Sequence, residues 1–141
     1  MALGSNVGNR VLALQRLRRA LEGGGVRLTA ASGEVVTTPV GPREQRDFLN
    51  CVVRLDADRP LLPLEWLERC QAAEREAGRR PTYHWGPRRA DADILLLGAD
   101  GRVRVDLPQL RVPHPELRNR PFLVSLLAAL DPGLRPPDGL D

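Results

Sequence analysis

The segment WGPRRADADILLLG, from Trp85 to Gly98, changes character halfway along. Its first half is a polar loop containing Gly86 and Pro87. From Ala92 to Leu97 it becomes a short, almost unbroken apolar run, the pattern of a strand buried on both faces. Asp91 and Asp93 stand at the mouth of that run. Alternate strand residues point to one face, so both carboxylates face the same way, with Cα atoms ~6.6 Å apart. Two carboxylates so placed can hold a pair of hard cations ~3.5–4 Å apart, and without a cation they repel. Aspartates also commonly punctuate the start of a strand, so the pair by itself leaves both readings open.

Downstream of this segment, Asp100-Gly101 predicts a turn and Arg102 to Leu107 a further strand. Pro113 to Pro121 is a proline-bounded loop or short helical turn, Phe122 to Leu130 the last helix, and Pro132 to Asp141 a Pro/Gly-rich tail. Upstream, Gly78 to Arg89 is a polar loop. Pro60 and Pro63 open a helix that runs to about Ala77 and stops at Gly78. Phe48 to Leu55 and Val26 to Val36 read as strands, separated by an irregular loop over Thr37 to Gln45. The first helix follows the Gly4–Asn9 turn, where Ser5, Asn6 and Asn9 are N-cap candidates. Val11, Leu14, Leu17 and Leu21 recur on it at helical spacing, and Gly23-Gly24-Gly25 ends it. Met1 to Leu3 is a short apolar start. The order is β-α-β twice over, which predicts an α+β sandwich of the ferredoxin-like βαββαβ type with an appended hairpin and C-terminal helix. No internal repeat or linker divides the chain, so residues 1–132 are expected to form a single domain and 133–141 a tail.

Composition narrows the function. Hydrophobic residues are 42% of 141, enough for a layered core. The 21 basic and 18 acidic residues leave a net charge of +3 and a pI near 9.6, but the signs are interspersed. That favours a local anion site over a polybasic arm. Every basic residue is arginine. This excludes a lysine Schiff base and a Walker-type phosphate loop, although coding bias accounts for most of it. Cys51 and Cys70 sit in apolar runs without a CxxC or Cys/His cluster, as expected of buried, reduced thiols in a cytoplasmic protein. No signal peptide and no apolar stretch of membrane-spanning length is visible.

Arginines and aromatics gather around the acidic pair. Arg88 follows the Trp85-Gly86-Pro87 turn, and Arg79 and Arg80 lie in a loop suited to closing over a site. A solvated charged loop is the plainer alternative. Gln71 and Glu74 share one helix face in register with Leu64 and Leu67, an odd place for polar groups unless the helix end is exposed or lines a site. His114 is held between Pro113 and Pro115, with Arg118 and Arg120 close behind. Phe48 and Phe122 could sandwich a flat heterocycle whose edge Asn50 reads, or could simply be core residues.

Together, ALGSN (2–6), TTPVGPREQRDFLN (37–50), QAAEREAG (71–78), WGPRRADADILLLG (85–98) and VPHPELRNRPF (112–122) closely resemble the 6-hydroxymethyl-7,8-dihydropterin pyrophosphokinase family of folate biosynthesis. The resemblance spans residues 2–132 in order and spacing, and its motifs are long and specific. It implies an ATP- and Mg²⁺-dependent diphosphotransferase. The dihydropterin hydroxyl attacks the β-phosphorus of ATP, pyrophosphate is transferred and AMP leaves. By position, Asp91 and Asp93 would bind two Mg²⁺ ions and, with Arg79 and Arg88, carry the catalysis. Gln71, Glu74, Arg88, Ile94, His114 and Arg120 would contact ATP. Thr37, Thr38, Pro39, Val40, Phe48, Asn50, Trp85 and Phe122 would hold the pterin. Departures from the family pattern are a short lead before ALGSN, Pro81 and His84 where basic residues are usual, and Phe48 where tyrosine is frequent.

Two other functions fit the sequence less well. An idle binding module would require losses at Asp91, Asp93 or the ATP-facing arginines, and none is seen. A nucleic-acid-binding domain would expose aromatics in mid-sheet, whereas here they flank loops. The expected partners are therefore small molecules, with no nucleic acid or membrane and a monomeric state.

Overall fold

The computed structural model describes residues 1–39, 44–84 and 86–134. In chain order the elements are β1 (Ala2–Ser5), α1 (Arg10–Leu21), β2 (Val26–Ala31), β3 (Val35–Thr37), β4 (Phe48–Ala57), α2 (Pro63–Glu76), β5 (Asp91–Asp93), β6 (Val105–Leu107), β7 (Leu110–Val112), a 3-10 turn (Leu117–Asn119) and α3 (Pro121–Leu130). The architecture is mixed α/β with antiparallel sheets and three helices. The main sheet runs β2–β4–β1–β5, with β3 also pairing β4, and β6–β7 form a separate two-stranded sheet.

Local chemistry sets the helices. Asn9 caps α1, its Oδ1 accepting the Leu12 N–H at 3.0 Å. Ala13, Leu14, Leu17 and Leu21 form the buried stripe; Val11, expected on it, is 47% exposed because the helix presents Ala13 instead. Pro63 opens α2, and Glu65 accepts the Leu62 N–H at 3.0 Å. At the other end Gly78 takes φ +94°, where a side chain is strained. The chain then turns back, and the Arg79 N–H donates to the Glu74 carbonyl at 2.9 Å.

The sheet divides two cores. Leu3, Leu49, Cys51, Val53, Ala92 and Ile94 pack with Leu14, Leu17, Leu21, Cys70 and Ala73, the layer under α1 and α2. Val52 and Ala2 face the other way, against Leu95, Leu117, Leu123 and Leu127 beneath α3. The alternation along β4 is the period of two that a sheet covered on both faces demands.

Three expected elements take a different form. The strand expected over Val26 to Val36 is broken at Ser32-Gly33-Glu34 into β2 and β3, which pair in turn along one edge of β4. Ser32 keeps the edge hydrogen-bonded: its N–H donates to the Val52 carbonyl and its Oγ accepts the Val52 N–H, both at 2.8 Å. The run Ala92 to Leu97 is buried, but only Asp91–Asp93 joins the ladder. The partner β1 is four residues long, and Asp93 already stands opposite Ala2. Beyond it, Leu95 O and Leu97 O accept from the N–H groups of His114 and Val103 at 3.0 and 3.1 Å. The hairpin lies further along: Val105–Leu107 pairs with Leu110–Val112 around Pro108-Gln109, burying Leu110 and Val112.

Candidate active site

The register places the site. Gly4 of β1 stands opposite Asp91 on one side and Asn50 on the other, and Ala2 stands between Asp93 and Val52 in the same way. Residues paired across a sheet share a face, so Asp91, Asp93, Asn50 and Phe48 all project from the face opposite α1 and α2. Two strand spacings separate Asp91 from Asn50, about 10 Å across a row whose centre is a glycine.

At one end of the row, Asp91 accepts from two arginines, Arg79 at 2.9 Å on Oδ1 and Arg88 at 3.2 Å on Oδ2. Arg79 also pairs with Glu74 at 2.5 Å, and the same Glu74 oxygen accepts the Ala92 N–H at 3.0 Å. Burial raises Glu74 above the usual carboxylate range, against the pull of that N–H and of Arg79. Burial and then the neighbouring Asp91 carboxylate push Asp93 up to about 8. Two acidic groups forced together at the mouth of a buried segment suit a cation. Among the described residues no three metal-binding side chains converge, so a bound ion would draw its remaining ligands from water or a substrate phosphate, which is how Mg²⁺ is usually held.

At the other end, Asn50 Nδ2 donates to Thr37 Oγ1 at 2.6 Å, with β3 and β4 held in register at Thr37 and Phe48. The Arg88 guanidinium lies 6.0 Å from the Phe48 ring centroid, so this one arginine spans both ends. Phe122, in the first turn of α3, packs into the cluster around Val52, the next residue of that face along β4.

Beside the acidic pair opens a cleft of about 800 Å³ lined by Gln71, Glu74, Arg75, Arg79, Arg80 and Arg88, and by the loop Pro81 to His84. Four arginines around one cleft favour an anion there. His114 borders this region: its Nδ1 accepts the Glu116 N–H at 3.1 Å, and burial and then Arg120 hold its pKa below the usual value, so its ring is neutral at pH 7.

The structure thus gathers Gln71, Glu74, Arg79 and Arg88 at the cleft, Asp91 and Asp93 beside it, and Thr37, Phe48 and Asn50 along the row. Thr38 is exposed and Pro39 half-buried, just past β3. Ile94 is buried among the α1/α2 core residues and lines a second, apolar cavity of about 580 Å³ rather than the arginine cleft. Val40 and Trp85 lie outside the described residues. Sequence reasoning missed Asn6 and Gln45. Asn6 reads as one N-cap candidate among three, yet it is 2% exposed and hydrogen-bonds Gln45.

The carboxylate pair and the polar-aromatic slot share one sheet face, and the arginine cleft opens beside the pair, a set of groups suited to bringing a polyphosphate to a flat heterocycle. The sequence profile of the 7,8-dihydro-6-hydroxymethylpterin-pyrophosphokinase (HPPK) family matches residues 1–132, and the chain belongs to that family. Curated relatives named 2-amino-4-hydroxy-6-hydroxymethyldihydropteridine pyrophosphokinase are similar over nearly the whole chain. The Pseudomonas aeruginosa relative is 42% identical, covering 99% of this chain and 83% of its own. The Bacillus subtilis relative is 40% identical, covering 92% and 75%. The Aquifex aeolicus relative is 37% identical, covering 95% and 80%. The chain is a diphosphotransferase that passes pyrophosphate from ATP to the hydroxymethyl group of the dihydropterin, a step of folate biosynthesis. No helix among the described residues is long and apolar enough to cross a membrane.

Proposed function

We propose that the transfer runs along the Asp91–Gly4–Asn50 row, with ATP in the arginine cleft and the pterin at the Phe48–Asn50 end. Asp91 and Asp93 hold two Mg²⁺ ions. Bound there, magnesium neutralises the phosphates and favours the nucleophilic form of the hydroxyl. Arg79 and Arg88, now on Asp91, would turn to phosphate oxygens with ATP in the cleft. Gln71, Glu74, His114 and Arg120 bound the nucleotide, and neutral His114, its Nδ1 already accepting the Glu116 N–H, donates from Nε2 without adding charge. Phe48 and Phe122 stack the ring. Asn50 reads its edge together with Thr37, Thr38 and Pro39; Val40 and Trp85, assigned to the pterin by the sequence resemblance, lie outside the described residues. The stretch 79–84, closing over the cleft, keeps water from the phosphorus.

The fold is read as ferredoxin-like over one domain, 1–132; the order β2–β4–β1–β5, with β1 and β4 central, supports this. Two buried free thiols, Cys51 and Cys70, support a reducing, cytoplasmic location, and the protein is read as a monomer that acts on small molecules.

The observation that carries the proposal is the shared row, which sets the acidic pair and Asn50 one glycine apart on one face. The test is AMP release from Mg²⁺-ATP with and without 6-hydroxymethyl-7,8-dihydropterin, for the native chain and Asp93→Ala. Pterin-dependent AMP release that drops by at least ~10³-fold in a folded Asp93→Ala supports it. Undiminished release in that variant removes the acidic pair from the chemistry.

A further inference from the structure

Asn6 is polar, 2% exposed and without a role in the reaction described above. Its Nδ2 donates to Gln45 Oε1 at 2.9 Å and to the Arg46 carbonyl at 3.1 Å. Its Oδ1 accepts the Arg88 N–H at 2.7 Å, and its own N–H donates to the Arg88 carbonyl at 2.9 Å. These partners fix the amide's orientation: exchanging its oxygen and nitrogen would set a carbonyl against two acceptors and an NH₂ against an N–H. Three segments therefore meet on one buried side chain. They are the turn after β1, the stretch 44–47 that leads into Phe48 and Asn50, and the stretch 86–88 that leads to Asp91. The surrounding ties, Arg46 to Gly8 O at 3.0 Å and Arg10 to Asp47 O at 2.9 Å, are exposed and join only the first two. Aspartate would offer Gln45 and Arg46 no donor, and serine is too short to reach both sides.

We infer that Asn6 is a positioning residue for the transfer. It fixes the Phe48–Asn50 end of the row against the Arg88–Asp91 end, so that the pterin hydroxyl and the phosphorus it attacks stay aligned. The inference rests on the proposed assignment of those two ends. Alignment acts on turnover more than on binding, because each substrate still meets its own end of the site; a misplacement of ~1 Å can cost ~10²-fold in rate.

The experiment is steady-state kinetics of pterin-dependent AMP release by the full chain, for Asn6→Ser, Gln45→Leu, their double variant and Asn50→Ala. Thermal melts establish folding. Asn6→Ser is expected to lower kcat ~30- to 100-fold, with both KM values within about threefold of native. Gln45→Leu, which cuts one arm, lowers kcat ~10-fold, and the double variant falls no further than Asn6→Ser. A folded Asn6→Ser whose kcat stays within threefold of native, or whose loss lies in KM alone, overturns the inference. Should Asn6→Ser not fold, Gln45→Leu is judged by the same split: an unchanged kcat overturns the proposal. Asn50→Ala reports separately on the ends. If it leaves the pterin KM unchanged, the assignment of the row has failed, and the inference with it; if the pterin KM rises while Asn6→Ser is silent, only the role of Asn6 has failed.

Discussion

Gly4 governs how closely the two ends of the row approach. A Cβ on it would lie 2.7 Å from Asn50 Oδ1 and 3.6 Å from Phe48 Cδ1. Gly4→Ala must therefore push Asn50 off the hydrogen bond it makes to Thr37. We expect the pterin KM to rise ~10-fold, one hydrogen bond's worth, while the ATP KM holds; kinetics with each substrate varied in turn decide it. Asp93 makes a second prediction at this scale. Its carboxyl is pushed up to about 8 in the folded chain, so the fold holds a proton that the unfolded chain has already released. The resulting destabilisation is absent below the unfolded value near 4, grows as pH rises and is complete above about 8. Asp93→Asn should abolish turnover yet stabilise the metal-free chain. In melts with EDTA its Tm gain should be near zero at pH 4 and reach at least ~3 °C, or ~1 kcal/mol, at pH 8. A gain that is flat across that range would remove the carboxyl's ionisation from this account.

At the scale of elements, the end of α2 matters more to function than its middle. Gly78 at φ +94° turns the chain so that Arg79 can reach Glu74 and Asp91 together. A Cβ there is strained and would also touch Arg89 Cδ at 3.0 Å. Gly78→Ala is predicted to cost ~1–2 kcal/mol, measured by denaturant midpoint at constant m. It should lower kcat more than Glu68→Ala, at an exposed position of the same helix outside the cleft, because Arg79 is displaced with the turn. The helix itself was legible: the two prolines, the period of its apolar residues and the terminal glycine are all local signals. The polar pair Gln71 and Glu74 on that face finds its explanation in the arginine cleft.

For the whole molecule, stability rests on two cores that share one sheet. Leu17, fully buried between α1 and the sheet, packs with residues from β1, β4 and α2. Leu17→Ala should cost ~2–5 kcal/mol and lower Tm by ~6 °C or more. It lies on the face away from the substrates, so the KM values of the fraction that remains folded should not move. Thermal melts beside kinetics at 15 °C separate the two effects. If the KM values change along with Tm, the sheet does not insulate the site from the α1/α2 core.

The helices, β4, the acidic pair and the family are legible in the chain alone, because caps, periodicity and motif spacing act over a few neighbouring residues. Tertiary structure decided the rest. Val26 to Val36 reads as one strand interrupted only by the weak strand formers Ser32-Gly33, and it yields there because the edge of β4 admits two short partners. Ile94 to Leu97 reads as strand but finds no ladder, because β1 supplies only three opposing residues. The hairpin shifts to Leu110 and Val112, whose alternation is too brief to read in isolation. Asn6 is the plainest case. In sequence it is one polar turn residue among several; in the fold its partners lie 39 and 82 residues away. A hydrogen bond closed across so long a loop leaves no local trace, and only the assembled sheet brings those segments within reach of one amide.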